Sequence, residues 1–262
     1  MNAPGNDLLL RADSEGIATL TLNRPAQRNA LSIALMESMI IELDRIKADE
    51  SVRVVIVNGA GPSFCSGHDL KELRDNADRA FYEKVFGTCS EMMQRIVALP
   101  QPVIAAVQGI ATAAGCQLVA TCDLAVAAEE SHFATPGVNI GLFCSTPMVA
   151  LSRAVPRKQA MEMLLTGDLI DAHEALKMGL VNRLAPTAQV MEETMALATE
   201  IVAKSPLTLR IGKQAFYRQA ELDLATAYEY ASKVMADNMM ARDAAEGIDA
   251  FLEKRKPEWK GA

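Results

Sequence analysis

The sequence predicts an α/β fold that ends in a helical region, and two patterns of apolar residues support this prediction. Apolar runs at residues 52–57, where Arg53 is the one polar residue, and at residues 103–107 alternate with amphipathic segments as far as about residue 185. A short continuous apolar run is typical of a buried strand, and apolar residues spaced three and four apart indicate a helix. After residue 187 every periodic segment is helical. We therefore expect a core over residues 1–187 and a helical region over 188–262.

Individual elements carry their own signals. Strands are expected at residues 8–10 and 17–22, on either side of a polar turn. Ser32 is suited to cap a helix whose apolar stripe runs to residue 46. A second helix, with its stripe from residue 81 to 96, is expected to stop before Pro100. In the C-terminal region, Ser205 followed by Pro206 indicates another helix start.

Composition and charge exclude several classes of protein. The 262 residues are 50% hydrophobic and carry a net charge of −7, which indicates a large buried core and argues against a nucleic-acid partner. Five scattered cysteines and three histidines show no metal-binding spacing, so we expect no metal. No apolar run reaches the roughly 20 residues of a membrane span, and no leader pattern opens the sequence. We expect a soluble, cytoplasmic protein that does not enter a membrane.

Two loops rich in small residues follow apolar runs, at residues 63–73 and 109–117. Small residues let the backbone approach a ligand, and a helix that starts there directs its N–H groups toward that ligand. Together the loops predict two N–H donors that converge on one oxygen, which is an oxyanion hole. Tight strand-to-helix turns give the same residue pattern, so each loop alone leaves a purely structural alternative open.

Ordered motifs run along nearly the whole chain. They include Asn23-Arg24-Pro25, Ser66-Gly67-His68-Asp69-Leu70, Ala114-Gly115-Cys116, Cys122-Asp123-Leu124-Ala125, Leu165-Thr166-Gly167 and Gly179-Leu180-Val181. With these motifs the sequence resembles the crotonase superfamily, the enoyl-CoA hydratase/isomerase family. The resemblance implies a spiral of ββα units, followed by a C-terminal α-helical trimerisation region that often pairs into a hexamer. It also implies lyase or isomerase chemistry of fatty acid metabolism, with a coenzyme A thioester as ligand and no separate cofactor.

The resemblance assigns roles to particular positions. The backbone N–H groups of His68 and Ala114 would bind the thioester oxygen and stabilise a thioester enolate. Residues that would line the adenine and pantetheine path are Ala26, Gln27, Arg28, Ala30, Ser66, Asp69 and Leu70. Phe251 and Lys254 would reach the coenzyme from a neighbouring subunit of a homotrimer or a dimer of trimers. Positive charges that would favour this polyanion lie at Arg24, Arg28, Lys71, Lys254 and Arg255.

The two catalytic glutamates that hydratases of the family use are replaced here by Gln117 and Gly137. An amide does not accept a proton at neutral pH and glycine has no side chain, so true hydratase activity is expected to be nearly absent. Because Gly137 follows Pro136, we expect its backbone to hold a conformation that a glutamate resists. The acid of the isomerase branches maps to Ser145 or Cys144, so it is missing as well.

Three functions stay open at this point. The first is an enzyme of the enoyl-CoA hydratase/isomerase family that stabilises an enolate with an atypical active site. The second is a methylmalonyl-type acyl-CoA decarboxylase, because loss of carbon dioxide forms the enolate without a base. The third is a non-catalytic acyl-CoA-binding or sensor protein. Side chains at His68, Cys144 and Ser145 are candidates to replace the missing groups, although none has an evident partner base.

Overall fold

Two sheets organise the computed structural model, which describes residues 8–262. The six-stranded sheet has the order β1-β2-β3-β4-β6-β9 and the three-stranded sheet the order β5-β7-β8. The strands are β1 Leu9–Ser14, β2 Ile17–Leu22, β3 Val54–Gly59, β4 Val103–Val107, β5 Ile110–Thr112, β6 Leu124–Ala128, β7 His132–Ala134, β8 Ile170–Asp171 and β9 Arg183–Ala185. The hairpin β1–β2 is antiparallel, whereas the remaining pairs of the large sheet are parallel.

The chain winds as a spiral that gives strands alternately to the two sheets. Strand β4 joins the large sheet and β5 the small one, and β6 and β7 repeat this step. A helical segment follows each such strand pair. This arrangement confirms the α/β spiral of ββα units that the resemblance implied.

The helices occupy the expected places. Their bounds are α1 Ile33–Lys47, α2 Leu70–Asp75, α3 Arg79–Ala98, α4 Ala114–Thr121, α5 Pro147–Ala154, α6 Arg157–Thr166, α7 Ala172–Lys177, α8 Val190–Val202, α9 Pro206–Gln219, α10 Leu224–Met239 and α11 Arg242–Glu253. The hydroxyl of Ser32 accepts from the N–H of Leu35, which confirms the predicted cap of α1. Ser205 caps α9 in the same way, with Pro206 in its first turn. Within the described residues, no helix is long and apolar enough to cross a membrane.

The large sheet is buried on both faces. Helices α1, α3 and α4 pack with one face in the larger apolar cluster. Residues Val190, Leu197 and Ala198 of α8 pack on the other face, against Ile56 and Ile104. Helix α8 thus contributes to the packing of the sheet although it follows residue 187. The division of the chain at that residue stays a prediction.

Helices α9 and α10 bury none of their residues in the single chain. Large apolar side chains stay exposed on α9 to α11, including Phe216, Leu224, Tyr228, Met235, Met240, Phe251 and Leu252. Helix α9 is tied to the core through Lys213, whose Nζ donates to Oδ2 of Asp123 at 2.6 Å and to the carbonyl oxygens of Ile96 and Gln101 at 3.0 Å. Trimerisation through this region stays a prediction.

Candidate active site

Backbone hydrogen bonds join the two small-residue loops side by side. The N–H of Cys65 donates to the carbonyl oxygen of Ile110 at 3.1 Å, and the N–H of Thr112 donates back to Cys65 at 3.0 Å. The hydroxyl of Thr112 also donates to the carbonyl oxygen of Ser66. These bonds extend the small sheet by one strand-like segment, so each loop is held in place by the other.

Glycines at two positions allow this close approach. A β-carbon on Gly115 would lie 2.1 Å from the carbonyl oxygen of Cys65. At Gly67, where φ is +99°, a β-carbon would lie 2.9 Å from Cβ of Ala113. A side chain at either position would force the loops apart. His68, which follows Gly67, and Ala114, which precedes Gly115, are therefore brought onto neighbouring segments.

The N–H groups of His68 and Ala114 find no protein acceptor among residues 8–262. Ala114 is the first residue of α4, where a helix leaves its N–H unpaired. On either side of His68, the carbonyl oxygen of Gly67 and the N–H of Asp69 both bond Leu31, at 2.8 and 3.1 Å. Two neighbouring donors of this kind can stabilise a negatively charged oxygen. Their role as the oxyanion hole stays a prediction.

The imidazole of His68 lies beneath its loop and packs edge-on against Phe86, with the ring centroids 5.3 Å apart. Both ring nitrogens are buried, and neither makes a hydrogen bond of normal geometry within residues 8–262, although the backbone of Leu31 is close enough to oppose part of the pKa shift. Burial lowers the pKa of His68 to about 4. The ring is therefore neutral at pH 7, and an imidazolium acid at this position is disfavoured.

Asn29 organises the loop after β2; it belongs to a motif of the resemblance, Asn29-Ala30-Leu31, but the sequence analysis assigned it no role. Its Oδ1 accepts from the N–H of Arg24 at 2.9 Å, and its Nδ2 donates to the carbonyl oxygens of Ala60 and Ser63. The side chain is fully buried, and the φ angles of Arg28 and Asn29 are +50° and +54°. Asparagine tolerates this left-handed conformation better than most residues, which was the available signal.

An ion pair between Arg24 and Asp69 fastens that loop to α2. The guanidinium donates to Oδ2 of Asp69 at 2.8 Å, and Oδ1 caps α2 by accepting from Lys71 and Glu72. Burial alone would raise the pKa of Asp69, but the hydrogen bonds from Arg24 and from the backbone lower it overall. Both carboxylate oxygens of Asp69 therefore form hydrogen bonds that hold the loop to α2.

The expected set of cations for a polyanionic ligand needs a correction. Arg24 is neutralised by Asp69, and Arg255 pairs with Glu246 and Glu253 at 2.6 Å. Arg24 is paired in a partly buried position and Arg255 on the surface, so each of these two charges is already balanced by an acidic side chain. No acidic side chain in the described range forms an ion pair with the other expected cations, Arg28, Lys71 and Lys254.

The residues expected to line the coenzyme path fall into two groups. The N–H of Ser66 donates to the carbonyl oxygen of Arg28 at 3.0 Å, which brings residues 26–30 beside the loop that contains Asp69 and Leu70. Ala26, Gln27, Arg28 and Leu70 are exposed, whereas Ala30 is buried. Phe251 and Lys254 lie at the end of α11, which packs on α9 and α10. Their approach to a site from a neighbouring subunit stays a prediction.

Gln117 lies in the first turn of α4, three residues after Ala114, and is 4% exposed. Its Oε1 lies 3.8 Å from Sγ of Cys89 on α3. Gly137 lies in the 3₁₀ segment Pro136–Ile140, and its φ is outside the left-handed region, so the expected backbone obstacle is wrong. The obstacle is packing, because a β-carbon there would lie 2.6 Å from the carbonyl oxygen of Leu142.

The two residues at the position of the isomerase acid differ in exposure. Cys144 is 8% exposed, and burial raises the pKa of its thiol. The thiol therefore keeps its proton at neutral pH and is a poor nucleophile. Ser145 is exposed, and its Oγ lies 3.4 Å from the carbonyl oxygen of Phe143. Within residues 8–262 no group of three histidine, cysteine, aspartate or glutamate side chains is arranged to hold a metal ion.

Known proteins agree with this fold and with the motifs that carry the candidate site. Residues 12–262 match the family model described as enoyl-CoA hydratase/isomerase, and the chain belongs to this family. The runs GHDLKEL, ATAAGCQLVA and FATPGVN resemble one branch, enoyl-CoA hydratase domain-containing protein 3. Human "Enoyl-CoA hydratase domain-containing protein 3, mitochondrial" is 51% identical over 94% of this chain and 81% of its own length.

Solved structures show the same relationship. The crystal structure of that human protein superimposes with a TM-score of 0.93 at 50% identity, over 97% of this chain and all of the other. An enoyl-CoA hydratase of Mycobacterium smegmatis gives a TM-score of 0.95 at 52% identity, over 97% and 99% of the two chains. The resemblance to the crotonase superfamily and its fold is thus confirmed.

Proposed function

We propose that the protein binds a coenzyme A thioester and stabilises its enolate in an oxyanion hole formed by the N–H groups of His68 and Ala114. The observation that carries this proposal is the pair of unpaired N–H groups on two loops that are bonded to each other. Removing one such preorganised donor typically costs about 10²–10³ in rate. Membership of the enoyl-CoA hydratase/isomerase family supports the choice of ligand.

The coenzyme would lie along residues 26–30 and 66–70, beside which Arg28 and the following Lys71 offer positive charge without an ion-pair partner among the described residues. Phe251 and Lys254 would complete the site from a neighbouring subunit. The exposed apolar side chains of α9 to α11 support a homotrimer or a dimer of trimers, because a monomer rarely leaves so much apolar surface uncovered. No cofactor besides the coenzyme of the ligand enters this proposal.

The absence of a carboxylate at positions 117 and 137 favours a reaction that starts without a base. In a methylmalonyl-type thioester, the bond to the carboxylate breaks, its electron pair forms the enolate and carbon dioxide leaves. Proton transfer to the α-carbon then completes the reaction. The same absence favours a second candidate, an acyl-CoA-binding protein without turnover. Hydration of an enoyl thioester is the reaction that this site supports least.

An assay of the purified protein tests these alternatives. Crotonyl-CoA, methylmalonyl-CoA and longer acyl-CoA thioesters are each followed for water addition, carbon dioxide release and free thiol. We expect binding, negligible hydration and release of carbon dioxide from methylmalonyl-CoA. Binding without any turnover would favour the second candidate, and rapid hydration of crotonyl-CoA would contradict the argument from Gln117 and Gly137.

Two further points of the proposal concern assembly and location. Light scattering should give three or six times the 28.2 kDa of one chain, and a stable monomer would contradict the assembly. The cytoplasmic location stays a prediction for this chain. The human relative is named as a mitochondrial protein, so its location differs from the one that we predict here.

A further inference from the structure

A buried thiol lies next to the side-chain amide of Gln117. Sγ of Cys89 lies 3.8 Å from Oε1 of Gln117, and both residues are nearly inaccessible to solvent. Burial raises the pKa of Cys89 to about 12, so the thiol keeps its proton at neutral pH. A protonated thiol is a weak donor, and the amide oxygen is the acceptor in front of it.

The amide nitrogen of Gln117 remains available to donate a hydrogen bond to a ligand. With the oxygen turned toward Cys89, the NH₂ group lies on the opposite edge of the planar amide. Nε2 donates to no acceptor in the described range, and it is not sealed from solvent as the ring nitrogens of His68 are. Helical side chains lean toward the N-terminus of their helix, so this amide lies beside the first turn of α4. That turn also contains the unpaired N–H of Ala114.

Hydrogen-bond donors therefore dominate this end of α4. The N–H groups of His68 and Ala114 and the NH₂ group of Gln117 all donate, whereas a glutamate at position 117 would present two acceptors. An acyl group that carries a second oxygen acceptor satisfies the NH₂ group. A plain alkyl chain leaves it unpaired and desolvated, at a cost in affinity.

We propose that Cys89 is a positioning residue that holds the NH₂ group of Gln117 toward the bound acyl group. The site thereby selects acyl-CoA thioesters with a second oxygen acceptor next to the thioester, either a keto or a carboxylate oxygen. This inference rests on the proposed function, because it requires the acyl group to lie beside His68 and Ala114.

Binding of matched thioesters to the full chain tests the selectivity. Acetoacetyl-CoA and butyryl-CoA have the same number of acyl carbons and differ in the keto oxygen, and malonyl-CoA carries the carboxylate instead. Titration calorimetry should give a dissociation constant about three- to tenfold lower for acetoacetyl-CoA than for butyryl-CoA, the typical effect of one neutral hydrogen bond. We expect malonyl-CoA to bind more tightly than butyryl-CoA as well, and weaker binding of malonyl-CoA would contradict the carboxylate part of the proposal.

Variants separate positioning from a purely structural role. Gln117→Met keeps the length of the side chain without the amide, and we expect it to abolish the preference. Cys89→Ala should bring the ratio of the dissociation constants for butyryl-CoA and acetoacetyl-CoA close to one, while the affinity for butyryl-CoA is retained. Cys89→Ser, which keeps a donor, should restore the preference. A structural role of Cys89 alone would change the affinity for both ligands together.

The outcomes are distinct from those of the proposed function. Equal affinity of the unaltered protein for acetoacetyl-CoA and butyryl-CoA would overturn the selectivity, and an unchanged preference in Cys89→Ala would overturn the role of Cys89. If Cys89→Ala does not fold, Cys89→Val replaces it, since valine fills the volume without a donor. If none of the thioesters binds, the proposed function fails and this inference fails with it.

Discussion

Sγ of Cys144 lies 2.8 Å from the point that a β-carbon on Gly137 would occupy. Cys144 and a side chain at position 137 thus compete for the same space. The carbonyl oxygen of Leu142 lies even closer to that point, and the same residue donates its N–H to the carbonyl oxygen of Gly137 at 2.9 Å. The packing of this loop therefore opposes a side chain at position 137, where the resemblance to the family leads us to expect the second glutamate of a hydratase.

Gly137→Ala is expected to destabilise the protein by about 1–3 kcal/mol, because the new methyl group overpacks a buried position. Urea denaturation measures the change in the free energy of unfolding. Gly87→Ala on α3 is the matched control, since no atom lies within 4 Å of its added β-carbon and alanine favours a helix. Equal stability of Gly137→Ala and the unaltered protein would contradict the packing argument.

A fall in pH should lower the free energy of unfolding, because His68 is protonated more readily in the unfolded chain. The unfolded chain protonates this residue near the ordinary pKa of 6.5, whereas the folded chain does so only near 4 because of burial. The unfolded state thus binds more protons between these values. The contribution of the neutral ring is complete above pH 6.5 and is lost as the pH falls toward 4, by up to about 3 kcal/mol.

His68→Phe isolates this effect, because phenylalanine fills a similar volume next to Phe86 and does not titrate. Urea denaturation at pH 7 and pH 5 should show a smaller drop in stability for the variant than for the unaltered protein. An identical drop in both proteins would show that His68 does not carry the acid sensitivity.

Lys213 should be essential for docking of α9. Its side chain is 6% exposed, and Asp123, its partner at 2.6 Å, also accepts from the hydroxyl of Tyr217 at 2.9 Å. Lys213→Ala leaves this carboxylate without its counter-charge, which typically costs about 3–5 kcal/mol. We expect the double variant Lys213→Met with Asp123→Asn to recover part of that loss in thermal unfolding. No recovery would argue against the ion pair as the cause.

Ala114→Pro should weaken thioester binding specifically. Proline removes the N–H donor, and at the first position of α4 this breaks no helical hydrogen bond. The preceding Ala113 has φ +50° and ψ −117°, which is not the extended conformation that a residue before proline prefers, so a control for distortion of the loop is needed. We expect the affinity for acetoacetyl-CoA to fall about tenfold, as for loss of one good hydrogen bond, with the affinity for free coenzyme A unchanged. Ala114→Gly keeps the donor and should bind as the unaltered protein does. A parallel loss for both ligands would indicate a distorted loop instead.

Local signals in the sequence predict much of this fold. The cap at Ser32, the stripe of α3 and the apolar runs of β3 and β4 each depend on residues close together in the chain, and the structure contains all of them. The small-residue loops likewise indicate the candidate site. The close contact of Gly115 with Cys65 explains why those loops need glycine.

Contacts between distant residues explain what the sequence did not predict. Lys213 and Asp123 are 90 positions apart, and no periodic pattern connects them. The sequence analysis treated Arg24 as a positive charge available to a ligand, because its partner Asp69 lies 45 positions away in the chain. For Gly137, the preceding proline indicated a backbone constraint, whereas the neighbouring loop supplies a steric one. In each case the charge or the space at one residue is decided by another segment of the chain.

Gln117→Glu should restore little hydration by itself. The substitution changes one atom of a buried side chain, so the protein is expected to fold, and the new carboxylate still faces the thiol of Cys89. The resemblance implies that hydration uses a pair of carboxylates that act as a unit, so we expect one carboxylate to give a gain below about tenfold in crotonyl-CoA hydration. Adding Gly137→Glu is expected to lower stability without a further gain in rate, because the second carboxylate has no space beside Cys144 and Leu142. A stable double variant that hydrates crotonyl-CoA much faster than the single variant would show that the loop can move to accommodate the second carboxylate. Fast hydration by the single variant would show that one carboxylate is sufficient.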